Sequence, residues 1–380
     1  GDYMKYRKLG KTNEEVSILG FGCMRFPQKD GKIDETKSLE MVRYAIDNGV
    51  NYIDTAYPYH NGESETFVGK ALKDGYREKV KLATKLPSWL INTRQDMDKY
   101  INEQLEKLQT NVIDFYLIHN LNRNDYKRLK DNGLFDFIEK IKEKKLVKYV
   151  GFSFHDTLDL FKDIVDDYDW DFTQIQYNYI DEDYQAGREG LLYAANKGLG
   201  VIIMEPLRGG SLVNNLSQGI NEIIDNSPVK KTAVEWAFKF LYNKEEISLV
   251  LSGMSTLEQV VDNLKIADTQ GQVNSMTIYE QETINKLREE FKSKIKVNCT
   301  GCKYCIPCPA KVNIPVCFDL LNNSSMFDSV EKIKKTYENY LVKANQDASK
   351  CIECGACEKK CPQHINIIDK LKKIKETFNV

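Results

Sequence analysis

The 380-residue sequence has almost no excess of charge of either sign, with 54 basic and 56 acidic residues and a formal net charge of −2. It therefore lacks the strong positive field that draws proteins to nucleic acids or anionic lipids. Long apolar runs are also missing, since a run such as residues 199–204 falls far short of the ~18 residues of a membrane span. With no apolar signal region at the amino terminus, we expect a cytoplasmic protein with neither nucleic-acid nor membrane partners.

Cysteine is absent between Cys23 and Cys299, and eight of the ten cysteines then fall in two short runs. Disulfide frameworks are typical of small secreted domains, whereas clustered thiols in a chain without a signal region favour metal binding. The sequence therefore predicts two domains, one spanning residues 4–295 and a second, cysteine-bearing domain spanning residues 296–380.

The larger predicted domain lacks the G-x-G-x-x-G turn of open dinucleotide-binding sheets. Short apolar runs instead alternate with amphipathic, helix-length segments. The predicted strands are 19–22, 51–54, 81–84, 115–119, 149–153, 173–176, 201–204 and 248–252. The predicted helices include 35–48, 63–73, 94–108, 134–144, 157–165 and 256–266. Eight such alternations favour an α/β fold of the (β/α)8 TIM-barrel type over a doubly wound sheet.

Four polar residues follow or end predicted strands, where the active sites of such barrels lie. They are Asp54, Tyr59, Lys85 and His119. Each alone has a structural explanation, but together they predict carbonyl reduction. A buried Lys85 paired with Asp54 would lower the pKa of Tyr59 below its ordinary value near ~10, so that Tyr59 protonates a developing alkoxide. His119 would orient the carbonyl for attack by a hydride donor.

The segment Leu-Gly-Phe-Gly-Cys-Met-Arg at residues 19–25, together with these four residues at matching strand ends, resembles the aldo-keto reductase family over about residues 4–290. The resemblance implies an N-terminal hairpin closing the barrel floor, the four residues as a catalytic tetrad, and NADP or NAD bound without a Rossmann fold. It also implies a small aldehyde or ketone as substrate.

The same resemblance implies a set of cofactor contacts. These are Gly22, Met24, Asp54, Ser153, Gln174, Met204, Pro206, Leu207, Arg208, Gly210, Gly253, Gln259 and Asn263. Phe154 and Met204 depart from the family, since many members have Asn and Tyr there. Gly253 and Gln259 stand where many members carry Lys and Arg for the 2′-phosphate of NADP, and Arg208 is an alternative source of that charge. The choice between NAD and NADP stays open.

The two cysteine runs predict a small, mostly α-helical ferredoxin-like domain. The predicted ligands are Cys299, Cys302, Cys305, Cys308, Cys351, Cys354, Cys357 and Cys361. The second run has the spacing of bacterial ferredoxins, which predicts two 4Fe-4S clusters. By analogy, Cys361 joins the first three cysteines on one cluster and Cys308 joins Cys351, Cys354 and Cys357 on the other. Zinc is the rival, although structural zinc sites use paired knuckles separated by a longer loop.

Three functions are compatible with these features. The first is an NAD(P)H-linked carbonyl oxidoreductase whose clusters pass electrons to a protein such as ferredoxin. The second is an ordinary carbonyl reductase with structural or oxygen-sensing clusters. The third, a redox-responsive regulatory or binding protein, is favoured by Phe154 and Met204 and opposed by the intact tetrad.

Overall fold

A computed structural model describes residues 4–214, 216–297, 299, 303, 305–326, 329–361 and 364–380. The strands of these residues are β1 (Tyr6–Lys8), β2 (Glu15–Ser17), β3 (Leu19–Gly22), β4 (Gln28–Lys29), β5 (Lys32–Ile33), β6 (Tyr52–Asp54), β7 (Lys81–Leu86), β8 (Ile113–Leu121), β9 (Val147–Phe154), β10 (Phe172–Gln176), β11 (Gly200–Met204) and β12 (Leu249–Ser252).

The helices of the same residues occupy much of the chain between and after these strands. They are α1 (Glu35–Asp47), α2 (Ser64–Ala71), α3 (Arg94–Leu108), α4 (Arg123–Asp131), α5 (Leu134–Glu143), α6 (Leu158–Asp167), α7 (Gly187–Asn196), α8 (Gln218–Asn226), α9 (Ala233–Tyr242), α10 (Leu257–Gln270), α11 (Ile278–Ser293), α12 (Ile314–Met326), α13 (Val330–Tyr337), α14 (Ala356–Lys360) and α15 (Ile367–Phe378).

Eight of the described strands form a closed parallel barrel in the order β3, β6, β7, β8, β9, β10, β11, β12, with β12 pairing back to β3. Each strand thus pairs with the strand that follows it around the barrel, as expected of repeated βα units. The predicted TIM barrel and its eight strands are confirmed.

The barrel floor is closed by the antiparallel hairpin of β1 and β2. Leu9 and Val16 of this hairpin are fully buried in a core cluster with residues from the barrel strands. Gly10 permits the close approach, because a Cβ there would lie 2.3 Å from the backbone nitrogen of Gly200. The hairpin implied by the family resemblance is therefore present and packs into the barrel interior.

The alternation of side-chain direction along each strand shows which residues point inward at the opposite end of the barrel. Successive side chains of a strand point to opposite faces, so a residue two positions beyond an interior residue also points inward. The core residues Tyr52, Ala83, Leu117, Phe172 and Ile202 belong to the interior cluster. Two positions further along their strands stand the five residues Asp54, Lys85, His119, Gln174 and Met204. The fold therefore directs these polar or sulfur-bearing side chains toward one end of the barrel.

The chain forms two compact units, residues 1–206 with 235–276, and residues 207–234 with 277–380. The second unit is mainly helical and has its own apolar core, which includes Cys317, Phe318, Tyr337, Ile374 and Phe378. The domain boundary at residues 295/296 stays a prediction. No helix of the described residues combines the length and the apolar character needed to cross a membrane.

Candidate functional site

A buried ion pair occupies the carboxyl ends of β6 and β7. Lys85 Nζ lies 2.9 Å from both carboxylate oxygens of Asp54 and also donates to the Thr55 carbonyl at 2.7 Å. Both side chains are almost completely buried. Burial alone would lower the pKa of Lys85, but the charge of Asp54 and the Tyr59 hydroxyl raise it above its ordinary value. The ammonium is therefore held in its charged form at the end of the barrel.

Tyr59 meets this ion pair from the loop between β6 and α2. Lys85 Nζ donates to the Tyr59 hydroxyl at 3.2 Å and lies 4.8 Å from the centre of its ring. The expected lowering of the Tyr59 pKa is wrong for the chain by itself. Burial raises the pKa of Tyr59 above its ordinary value, and Lys85 offsets that rise only in part. Tyr59 is thus a protonated hydroxyl with a cation beside it.

His119 forms the third side of the site. The centre of its ring lies 6.2 Å from the ring centre of Tyr59 and 5.2 Å from that of Trp89, and both pairs are arranged edge to face. Burial, Lys85 and His155 hold the pKa of His119 well below its ordinary value, so the imidazole is neutral. Its Nδ1 is buried without a hydrogen-bond partner in the described part of the chain. The site therefore presents a neutral imidazole and a phenol to the same space.

The first turn of α2 forms hydrogen bonds with residues at the ends of β6 and β7. The Ser64 hydroxyl lies 2.8 Å from that of Thr55 and donates to the Cys23 carbonyl at 2.9 Å. The next residue, Glu65, is fully buried and accepts from the Thr84 hydroxyl at 2.7 Å. Since Thr55 follows Asp54 and Thr84 precedes Lys85, one helix end positions both partners of the ion pair.

Gln104 extends this network from α3. Its Nε2 donates to Glu65 at 2.9 Å and to the Lys85 carbonyl at 2.7 Å, while its Oε1 accepts from the Tyr116 hydroxyl at 2.7 Å. Sequence reasoning missed Glu65 and Gln104. A usable signal existed for Gln104, because it occupies the apolar face of α3 with Met97, Ile101 and Leu108.

Several predicted cofactor contacts lie at the strand ends of the first unit. Ser153 and Gln174 are buried, and the Ser153 hydroxyl accepts from the Asn120 amide at 2.7 Å. Gln174 Nε2 lies 3.7 Å from the sulfur of Met204, whereas its Oε1 is buried with no partner among the described residues. These three side chains leave one buried amide oxygen available as an acceptor.

The other predicted contacts of the first unit surround the ends of β3 and β12. Gly22 ends β3 in register with Asp54, and Met24 is exposed. Asn263 donates to the Ser252 hydroxyl at 2.8 Å, while Gln259 accepts from the Ser255 amide at 2.8 Å. Two residues complete the set: exposed Gly253 and buried Pro206.

Leu207, Arg208 and Gly210 belong to the second unit and are therefore described within it. The Arg208 guanidinium donates to the Asn323 side-chain oxygen at 3.3 Å and lies 4.0 Å from Asp319, both on α12. This arginine already interacts with polar groups of the second unit. Phe154 packs against Phe152 and Phe161, so its ring points away from the barrel interior.

The predicted metal ligands lie in the second unit. Cys302 is outside the described residues, and the other seven are described. Six of these pack against the unit's apolar core, namely Cys299, Cys305, Cys308, Cys351, Cys357 and Cys361. Cys354 is exposed. The described part of the chain brings no three Cys, His, Asp or Glu side chains into a group that would hold a metal ion.

Cys23 and Cys317 are buried, as expected, and His364 is exposed.

Comparison with known proteins accounts for both parts of the sequence. The sequence model of the aldo/keto reductase family matches residues 18–284, and that of the 4Fe-4S dicluster domain matches residues 298–366. The second match supports iron–sulfur clusters in the C-terminal region.

Individual proteins resemble mainly the barrel. L-galactose dehydrogenase of Arabidopsis thaliana is 28% identical over 286 residues, covering 69% of this chain and 87% of that protein. Aldo-keto reductase YhdN of Bacillus subtilis is 38% identical over 125 residues, covering 30% of this chain and 38% of that protein. An aldo-keto reductase structure from Bacillus halodurans superimposes with a TM-score of 0.64 at 27% identity, covering 75% of this chain and 96% of that one.

Proposed function

Because the chain belongs to the aldo/keto reductase family, we propose that this oxidoreductase reduces a small aldehyde or ketone with NADPH or NADH, or oxidises the corresponding alcohol. The observation that carries the proposal is the contact of Lys85 Nζ with both Asp54 and the Tyr59 hydroxyl. A proton donor beside a fixed cation is the arrangement that carbonyl reduction requires.

Each residue of the tetrad has a separate role in the proposed reaction. Tyr59 gives its phenolic proton to the carbonyl oxygen as negative charge develops there. Lys85, 3.2 Å from that hydroxyl, stabilises the phenolate that remains, and Asp54 keeps Lys85 charged and in place. Neutral His119 has one N–H that can donate to the same carbonyl oxygen and hold it close to Tyr59.

The residues at the strand ends fit a nicotinamide cofactor, which when bound would supply the hydride. The buried Oε1 of Gln174 lacks a partner in the described residues and would accept from a carboxamide N–H. Ser153, whose oxygen already accepts from the Asn120 amide, retains its own O–H for donation. We propose these two residues as the carboxamide contacts.

For the C-terminal region we propose two 4Fe-4S clusters that exchange single electrons with another protein of the cytoplasm. The donor set consists of eight thiols in two runs, which is the chemistry that such clusters need. A nicotinamide releases two electrons together as hydride, whereas a cluster accepts one, so the coupling requires a two-electron carrier such as a flavin between them. A second candidate has structural clusters, which the packing of six cysteines against the apolar core favours.

Anaerobic stopped-flow spectroscopy tests these proposals on protein with quantified iron and sulfide. Tyr59→Phe is expected to lower carbonyl-dependent NADPH or NADH oxidation by roughly 10²–10⁴-fold, because it removes the proton donor. Bleaching of cluster absorbance by the nicotinamide would favour electron transfer. Carbonyl turnover with unchanged clusters would favour the structural role, and full activity of Tyr59→Phe would refute the tetrad mechanism.

A further inference from the structure

The second predicted domain and the part of the chain before it carry opposite net charges. Residues 296–380 contain 14 lysines and nine acidic residues, a net charge of +5, whereas residues 1–295 contain 40 basic and 47 acidic residues, a net charge of −7. The near-zero charge of the whole chain hides this asymmetry. Charge asymmetry between parts of a chain steers the approach of charged partners.

Six lysines stand within three residues of a predicted cluster ligand, and one of them, Lys296, precedes the first cysteine run. The other five, which are all exposed, are called the lysine rim here and are Lys303, Lys311, Lys350, Lys359 and Lys360. None makes an ion pair with any described residue. Because neighbouring Cα atoms are only ~3.8 Å apart, charges so close in sequence to the ligands lie near the cysteine runs. Their positive field is therefore available to a partner.

The acidic residues near the same cysteines are already engaged within the unit. Glu353 lies 3.0 Å from Lys372, and Glu358 accepts from the Ile368 amide at 2.9 Å. Asp347 is buried and accepts from the Ser349 amide at 3.1 Å. These contacts weaken the contribution of the acidic side chains to the outward field. The local charge that a partner meets is consequently positive.

Apolar surface occurs within the runs themselves. Ile306, between Cys305 and Cys308, is 39% exposed, and Ile352, between Cys351 and Cys354, is 64% exposed. Protein interfaces commonly combine a small apolar centre with a polar rim that orients the partner. Two exposed isoleucines with five neighbouring lysines have the composition of such a surface.

We propose that the lysine rim with Ile306 and Ile352 is the docking surface for an acidic one-electron carrier protein, such as a flavodoxin or an acidic ferredoxin. The inference rests on the proposed electron-transfer role of the clusters. In the simplest step, a reduced cluster gives up one electron, and the oxidised flavin of a flavodoxin takes that electron and a proton from water to become the neutral semiquinone.

The test uses the full chain with its clusters reduced and excess reductant removed. Purified acidic flavodoxin is the probe, because its semiquinone is spectroscopically distinct from the clusters. Methyl viologen serves as a small mediator and cytochrome c as a basic carrier. Lys350→Glu with Lys360→Glu reverses two charges of the rim. Lys335→Glu with Lys343→Glu makes the same charge change on exposed residues remote in sequence from the cysteine runs.

We expect the rim variant to reduce flavodoxin roughly tenfold or more slowly at low salt, and the control variant to stay within about twofold of the parent. The parent rate should fall steeply between about 0.01 M and 1 M salt, as the Debye length falls from about 30 to 3 Å. Iron and sulfide contents must match across the variants. The salt dependence of the parent tests the proposal even if a variant loses its clusters.

Two results would overturn the docking surface while leaving electron transfer intact. One is a rate of flavodoxin reduction by the parent that does not change with salt concentration, or a rate that falls equally in the rim variant and the control variant. The other is exchange with methyl viologen or cytochrome c that is fast while exchange with flavodoxin is slow at every salt concentration. Clusters that exchange electrons with neither viologen nor any carrier would overturn both the surface and the electron-transfer function.

Discussion

In the barrel, the proposed catalytic side chains stand on or beside strands that are hydrogen-bonded on both sides. In the second unit, six of the seven described ligand cysteines lie on turns or irregular segments, and only Cys357 belongs to a helix. Strand pairing and an apolar interior fix the positions of Asp54 and Lys85 without a bound group. The described segments that carry the thiols are held by turn hydrogen bonds instead, such as those from the Cys351 and Cys361 amides to the carbonyls of Ala348 and Glu358. The two proposed sites therefore depend on the polypeptide to different degrees.

Removal of iron is expected to have the largest effect on the two sites compared here. Chelation of iron under anaerobic conditions is expected to abolish amide protection around the ligand loops, residues 299–308 and 351–361, and to leave the barrel strands protected, because cluster binding is coupled to the folding of these loops. Hydrogen exchange read by mass spectrometry reports both regions in one sample. Equal protection of residues 299–308 and 351–361 with and without iron would show that the loops are ordered by the polypeptide alone.

Within the barrel, Lys85→Met should reveal how strongly the polypeptide alone holds the site. It leaves Asp54 buried without its cation and is expected to lower the free energy of unfolding by about 3–5 kcal/mol. Lys148→Met is the matched control, since Lys148 pairs with Asp114 at 3.2 Å but is itself largely exposed and should cost less than about 1 kcal/mol. If urea denaturation shows that Lys85→Met and Lys148→Met lose the same free energy of unfolding, water screens the Asp54–Lys85 pair.

The apolar cores of the two units are compared by removing one methylene from each. Ile202→Val in the barrel and Ile374→Val in the second unit affect fully buried side chains. Each is expected to destabilise its own unit by about 0.5–1.5 kcal/mol, measured by denaturant unfolding of the cluster-loaded chain. If Ile374→Val does not change the free energy of unfolding, the second unit is not close-packed and its order comes from the clusters alone.

A smaller effect concerns pH and His119. The folded-state pKa of His119 is lowered, so the unfolded chain takes up a proton first as the pH falls below about 6.5. This contribution to stability is complete above that pH and is lost progressively below it. Stability should fall by about 1 kcal/mol more between pH 7.5 and 5.5 in the parent than in His119→Gln. Identical pH profiles would indicate that His119 is solvated.

The sequence predicted the barrel well because strand and helix periodicity repeats eight times. The strand at 19–22 matches β3, and 94–108 matches α3, whose capping box at Thr93 and Asp96 marks its start. Strand β8 continues to Leu121, beyond the predicted end at residue 119. Its last residues bond to β9 after a bulge, and such irregular pairing leaves no periodic signal.

The proposed site was predictable in its membership but not in its electrostatics. Residue types at strand ends identified Asp54, Tyr59, Lys85 and His119, and the structure brings them together. The direction of the Tyr59 pKa shift depends on how burial compares with the field of Lys85, a balance that requires coordinates. Likewise, the contacts of Arg208 with α12 join residues more than a hundred positions apart.

The attachment of both strand ends to Ser64 and Glu65 separates the support of the ion pair from the loop that carries Tyr59. The loop of residues 57–63 carries Tyr59, yet Asp54 and Lys85 are fastened from α2 rather than from that loop. Substitutions at exposed loop positions such as Asn61, which leave Tyr59 in place, are therefore expected to keep the hydrogen bonds that hold the ion pair. Changes at such positions can alter the surroundings of Tyr59 without moving Lys85.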